Sequence, residues 1–255
     1  MSVVTYGEAL LTYKQAPAEL CIPNAKCLST GASIQLEAIG GAELNVAVAL
    51  AHLGVAAKWC SLLPHGPLGD RVANAADASG VDLSCCLRTP PSCPSSEQQL
   101  GTLHVVDEGM GPKPHYQRLE SAFCKGVGES TFAWADVLNG CSWLHLTGIT
   151  PLLGRGPRAA WSAALKAAKQ VGVQVFFDLN HRPALGTFEE LWAAVEADIS
   201  CISLLMLSED ALLKLCDRWA PSSDATSRMA PDWCMPFQTG TRCSLRMLAW
   251  RPRRI

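Results

Sequence analysis

The chain has 255 residues, 49% of them apolar and 17% charged, with a net charge of −2. That length admits one or two domains with a full core, and that balance excludes an intrinsically disordered polymer. The charge gives no reason to expect nucleic acid or an anionic membrane as partner, and no apolar run approaches the ~20 residues that cross a bilayer.

Strand-like and helix-like segments alternate from the N-terminus onward. Residues 3–6 read as a strand, 43–53 as an apolar helix ended by Gly54, and 57–63 as a second strand. A helix is expected over 70–79, closed by Gly80. After a Pro-, Ser- and Gly-rich stretch over 83–116, with short β-like runs at 100–106 and 115–118, a buried strand is expected at 143–146. Pro157 opens a helix running to Gln170, followed by a strand at 173–177, a helix at 189–197, a strand at 199–205 and a helix at 209–216. Strands alternating with helices of this length imply βαβ units and a largely parallel sheet.

From Asp217 the pattern stops: Trp219, Trp233, Phe237, Leu248 and Trp250 are too apolar for a solvated tail, yet neither periodic template fits. A retained intron or a shifted reading frame would produce such a segment, and a divergent C-terminus is the alternative.

Twelve cysteines occur without a single C-x-x-C, which argues against zinc ribbons and thioredoxin-like chemistry. Cys60, Cys141 and Cys201 sit in apolar stretches as small core residues, so free thiols in a reducing, cytoplasmic setting are expected.

Five elements carry chemistry. Gly40-Gly41 precedes a helix whose first turn holds Asn45, a polar amide among apolar neighbours that needs a partner. Thr147-Gly148-Ile149-Thr150 and Phe177-Asp178-Leu179-Asn180-His181-Arg182-Pro183 each follow a buried strand, where open α/β sheets bind ligands. Arg182 can offer a bidentate fork to a planar carboxylate, which a hexose lacks and a sugar acid has. Tyr116-Gln117-Arg118 lies in the β-rich stretch, and Glu209 opens the last helix, where an acid is favourable from the helix dipole alone.

Together these motifs resemble the sugar-binding half of PfkB/ribokinase-family carbohydrate kinases, closest to the 2-keto-3-deoxygluconate kinases. The resemblance covers about residues 3–216 and implies a ribokinase-like three-layer α/β/α sandwich with a small β-sheet lid at about 83–123. Residues 217–255 then form a non-family tail, and the fold is truncated at its C-terminus. The implied activity is phosphate transfer from ATP, with Mg2+, to a sugar acid. Another sugar kinase of the family, such as a fructokinase, or a catalytically inactive binding remnant stands beside it.

By that resemblance Gly40, Gly41, Asn45, Tyr116, Arg118, Ile149, Asn180 and Arg182 contact substrate, and Asp178 and Glu209 lie near the metal. Arg118 is placed on a mobile, partly solvated lid, and a homo-oligomer through that lid is possible. His104 stands where the family often has an aromatic residue. The family's Gly-Ala-Gly-Asp element, source of the catalytic base and the phosphate nest, has no counterpart. Asp217, Asp224 and Asp232, the only acids after Cys216, lack that glycine context.

Overall fold

A computed structural model describes residues 1–15, 34–107, 112–219 and 246–250. The chain begins with strand β1 (Ser2–Tyr6), then leaves for an antiparallel pair, β2 (Leu10–Gln15) and β3 (Ile34–Gly40). Helix α1 (Ala42–His52), strand β4 (Ala56–Leu63), helix α2 (Pro67–Ala78) and the short strand β5 (Cys86–Arg88) follow. A second hairpin, β6 (Gly101–Asp107) and β7 (Pro112–Gln117), leads to short helices α3 (Ala122–Gly126) and α4 (Trp134–Val137). The rest alternates: β8 (Trp143–Thr147), α5 (Arg155–Val171), β9 (Gln174–Asp178), α6 (Phe188–Val195), β10 (Leu204–Ser208), α7 (Glu209–Trp219) and β11 (Arg246–Trp250).

Seven strands make one sheet in the order β11-β10-β9-β8-β1-β4-β5, and every described pairing in it is parallel. Its two faces are read off β4, where alternate residues enter different cores. Ala57, Trp59 and Leu63 pack with α1 and α2, whereas Cys60 and Leu62 pack on the side of α3, α4 and α5. Alternation on a strand covered by helices on both faces yields the three layers expected for a ribokinase-like sandwich. On the larger core, Pro157, Ala160, Trp161, Ala164, Leu165 and Ala168 of α5 are buried at helical spacing, and Trp161 meets Phe177 of β9 edge to face. Helix α6 starts with a capping box: Glu190 N–H donates to Thr187 Oγ1 at 3.1 Å, and Thr187 N–H donates to Glu190 Oε2 at 2.7 Å.

Four strands form the second sheet, in the order β3-β2-β6-β7. It does not coincide with residues 83–123. Two of its strands come before α1, while Cys86–Arg88 pairs with β4 in the large sheet. His104 on β6 stacks on Tyr13 of β2, ring centroids 5.1 Å apart, so it takes an aromatic role within the lid.

Other differences are local. Helix α5 begins two residues ahead of Pro157, which still lies in the first turn where a missing N–H costs no hydrogen bond. The strand expected at 199–205 is instead a 3-10 turn over Glu196–Cys201, followed by β10. The tail also contributes: Arg246–Trp250 pairs in parallel with β10 as the edge strand, and α7 runs three residues past Cys216. No described helix is long and apolar enough to cross a membrane.

Helices α1 and α2 cover their face mainly over β1 and β4, with α1 reaching only lightly to β8. Beside them a groove of about 220 Å³ is floored by Val3, Trp143, His145, Phe176 and Leu204. His145 is buried there with neither ring nitrogen hydrogen-bonded among the described residues, and burial pushes its pKa from 6.5 down to about 4. The unfolded chain therefore takes up a proton at a pH where the folded one does not. This contribution to stability is present above pH 6.5 and is lost as pH falls through about 4. His145→Leu should remove ~3 kcal/mol of acid sensitivity from that window, read as the difference in slope of unfolding free energy against pH. Parallel slopes for the two proteins would mean that the imidazole reaches water.

Candidate active site

Beta-strand order reverses around β1, which has β8 on one side and β4 on the other, and such a switch point is where open α/β sheets bind ligands. The chain crosses between the two sheets beside it, at residues 7–9, 40–41, 98–100 and 118–121. Gly41 sits at one crossing with φ 142°, and a Cβ there would come within 2.3 Å of the Glu8 carbonyl oxygen. Only glycine fits that backbone. Gly40 has no such requirement: the nearest atom to a Cβ there is Asn45 Oδ1, at 3.7 Å.

At the same crossings lies a cluster of charge that the sequence reading missed. Glu8 Oε1 accepts a hydrogen bond from Arg118 Nη1 at 2.9 Å, and both side chains are buried. Glu43, fully buried at the start of α1, accepts from Thr147 Oγ1 at 2.6 Å and from Thr150 Oγ1 at 3.0 Å. Its second oxygen lies over Gly7, 2.1 Å from where a Cβ would stand. Burial raises the Glu8 pKa to about 8; Arg118 opposes the rise and the neighbouring Glu43 adds to it. Burial likewise raises Glu43, against the two threonine hydroxyls. Gly7-Glu8 directly after the first strand and Glu43 two residues after Gly40-Gly41 were the available signals.

Arg118 is therefore not the partly solvated lid residue that was expected. It is held from below by Glu8, and its guanidinium carbon stands 4.3 Å from the centroid of the Tyr116 ring. Its Nε has no hydrogen-bond partner among the described residues. Tyr116 and Arg118 line a cleft of about 680 Å³ between the lid and the loop after β9, and Arg182 lines it from the opposite side. Arg182 is exposed, and no described hydrogen bond or ion pair restrains its guanidinium.

Arg182 also borders a second cleft of about 380 Å³, at the carboxyl ends of β9 and β10. Asp178, Asn180, Ser208, Asp210 and Lys214 line it. Asn180 holds the loop in a left-handed turn (φ 37°), its N–H donating to Asp178 Oδ1 at 3.1 Å. Burial raises the Asp178 pKa, with that hydrogen bond and Arg182 pulling it down. Lys214 Nζ lies over the Phe188 ring at 5.5 Å.

Five expected residues, Gly40, Gly41, Asn45, Ile149 and Glu209, line neither cleft. Asn45 is exposed, so its amide does not need the buried partner inferred for it. Ile149 is buried with both backbone groups engaged: its N–H donates to Thr147 Oγ1 and its carbonyl accepts from Leu152. Gly148 before it passes so close to the Leu179 carbonyl that a Cβ would lie 2.1 Å from that oxygen, fixing the loops after β8 and β9 together. Glu209 does not line the cleft at β10, whereas its neighbour Asp210 does. Among the described residues no group of three or more His, Cys, Asp or Glu side chains is assembled to hold a metal.

Comparison with known proteins agrees with this geometry. The profile of pfkB family carbohydrate kinases matches residues 1–97. A 2-dehydro-3-deoxygalactonokinase of Haloferax volcanii is 28% identical over 205 residues, covering 79% of this chain and 57% of its own length. The crystal structure of 2-dehydro-3-deoxygluconokinase from Thermotoga maritima superposes with a TM-score of 0.71 at 31% identity, over 84% of this chain and 61% of that one. A fructokinase of Xylella fastidiosa solved with bound ATP shares the fold, with a TM-score of 0.68 at 22% identity over 85% of this chain and 64% of that one. This chain thus spans about three-fifths of the proteins it matches. With the strand order, the lid and these matches in agreement, residues 1–97 carry a PfkB-family carbohydrate kinase domain and the chain shares the fold of such kinases.

Proposed function

We propose that the cleft between lid and core binds a 2-keto-3-deoxy sugar acid, the substrate half of an ATP-dependent phosphoryl transfer. One observation carries this reading: Arg118 and Arg182 line the same cleft from opposite walls, with Tyr116 beside them. Two guanidinium groups facing one cavity favour a ligand with a carboxylate over a neutral hexose. The smaller cleft adjoins it through Arg182, and Lys214 and the backbone after β9 give it the character of a place for phosphates.

Magnesium characteristically keeps waters and phosphate oxygens among its ligands and takes only one or two carboxylates from the protein. Asp178 and Asp210 fit that limited role, and the lack of a three-ligand cluster among the described residues is compatible with it. The ion would neutralise charge on the transferring phosphate.

Phosphoryl transfer also needs a base for the attacking hydroxyl and donors around the phosphates. No Gly-Ala-Gly-Asp element occurs in these 255 residues. The polypeptide alone is therefore expected to bind the sugar acid but to turn over only at background. Calorimetry with 2-keto-3-deoxygluconate tests the first part and a coupled ADP assay the second. Heat from fructose equal to that from the acid would remove the reading of the cleft. A rate of ~1–100 per second, ordinary for kinases, would show that another residue supplies the base.

A further inference from the structure

Between β4 and β5 the pairing slips by one residue. Lys58 bridges Asp82, and three residues later Ser61 pairs with Cys86, so the second strand has one more residue than the first in this interval. The extra residue is taken up in a turn closed by Cys86 N–H donating to the Leu83 carbonyl at 2.8 Å. Such a bulge re-aims side chains. Here Cys85 leaves the edge strand and packs against the same core that Cys60 enters from β4. Cys86, one residue on, packs on the opposite core with Trp59 and Leu63. Cys60, Cys85 and Cys86 are all free thiols; Cys60 is buried and Cys85 half-buried.

We propose that Cys60 and Cys85 are a peroxide-sensitive dithiol that closes to a disulfide across β4 and the bulge before β5. Cys60 and Cys85 directly precede the ladder partners Ser61 and Cys86 and pack on the same core. Strands at that pairing run ~4.8 Å apart, within the ~4.4–6.8 Å between Cα atoms that a disulfide bridges. Roles follow from the surroundings. The Cys60 thiol keeps its proton and directs it at Cys85, and burial adds to the rise in its pKa. That hydrogen bond, with Lys58 and the Ser84 hydroxyl, brings Cys85 down to about 6 against its partial burial and the Asp82 charge. Burial pushes Cys86 up to about 12, so it does not compete as a nucleophile.

The Cys85 thiolate attacks one peroxide oxygen, the O–O bond breaks, and hydroxide leaves with the proton that Cys85 had released to water. The resulting sulfenic acid is attacked at sulfur by Cys60. The S–S bond forms as the S–O bond breaks, and the departing hydroxide takes the Cys60 proton as water. Two thiols and one hydrogen peroxide give one disulfide and two waters.

The test is peptide mapping of the full chain after hydrogen peroxide, quenching and alkylation under denaturing conditions. The expected result is a Cys60–Cys85 cross-link with Cys86 still alkylated. In Cys60→Ser the cross-link disappears and Cys85 is trapped as a dimedone adduct. Alkylation of Cys85 in the native protein should reach half its plateau near pH 6. Cys60→Ala, which removes the donor, should slow it roughly fivefold near that pH, because the gain in nucleophilicity at higher pKa offsets part of the lost thiolate. Cys85→Ser should leave Cys60 reduced under the same peroxide. A cross-link joining Cys85 to Cys86, or Cys60 recovered fully alkylated from a wild-type protein whose Cys85 is oxidised, overturns the proposal.

Discussion

Replacing Arg118 by Ala is expected to cost about 3–5 kcal/mol of stability in mildly alkaline solution, the scale for breaking a buried ion pair from one side. Glu8 is 2% exposed, and the other carboxyl beside it, Glu43, offers repulsion rather than relief. The cost must depend on pH. Since the folded-state pKa of Glu8 is raised from 4.5 to about 8, its contribution to stability is fully present below 4.5 and is lost as pH rises through 8. Arg118 pulls that pKa down, so its removal drives it higher and extends the loss to higher pH. In mildly acidic solution Glu8 keeps its proton, and the cost shrinks toward that of an unmet hydrogen bond, about 1–3 kcal/mol. Arg182→Ala, at an exposed guanidinium, should stay within ~0.5 kcal/mol at any pH. Urea unfolding of the three proteins at about pH 6 and about pH 9 separates these outcomes. An Arg118→Ala cost equal to that of Arg182→Ala, or one that does not change with pH, would mean the cluster is hydrated.

The contrast between these two arginines marks how far the chain can be read without its structure. The loop after β9 was legible, because an acid, an amide and a guanidinium follow a continuous apolar strand, and a strand's carboxyl end is where ligands sit. Helix α5 was legible for a similar local reason, six buried residues at helical spacing. Arg118 was found but misjudged. Its burial comes from Glu8, 110 residues away, and no local pattern encodes that pairing. Glu43 escaped notice because an acid in a helix's first turn reads as favourable for the dipole, whereas here it is sealed beneath two threonine hydroxyls. Half of the lid was missed for another reason. Its β2 follows β1 after only three residues, and the pairing partner that makes it a lid strand, β6, lies far along the chain. The strand at Arg246–Trp250 is likewise defined by its parallel pairing with β10.

If the cleft reads a carboxylate as proposed, its specificity rests on Arg182, whose replacement by Lys should weaken sugar-acid binding by ~1.5–3 kcal/mol, the scale of hydrogen bonds to charged groups. Lysine keeps the charge but loses the planar fork that meets both oxygens of a carboxylate. The two arginines are not equivalent donors. Arg118 already spends Nη1 on Glu8, while no hydrogen bond or ion pair among the described residues engages the Arg182 guanidinium at the junction of the two clefts. Burial raises the pKa of its neighbour Asp178, and Arg182 pulls it back down. A neutral sugar such as fructose presents nothing for the fork to grip, so Arg182→Lys should leave its weak binding nearly unchanged. The measurement is a pair of calorimetric affinities, acid and neutral sugar, on wild type and Arg182→Lys. Arg182→Ala serves as a third arm, because it removes the charge as well and should cost the acid more than the lysine variant does. If lysine binds the acid as tightly as arginine, a point charge suffices at that wall and selectivity must come from Arg118 and Tyr116. Equal losses for acid and neutral sugar would instead make Arg182 a support for its own loop, and a carboxylate would no longer be the ligand feature that the cleft reads.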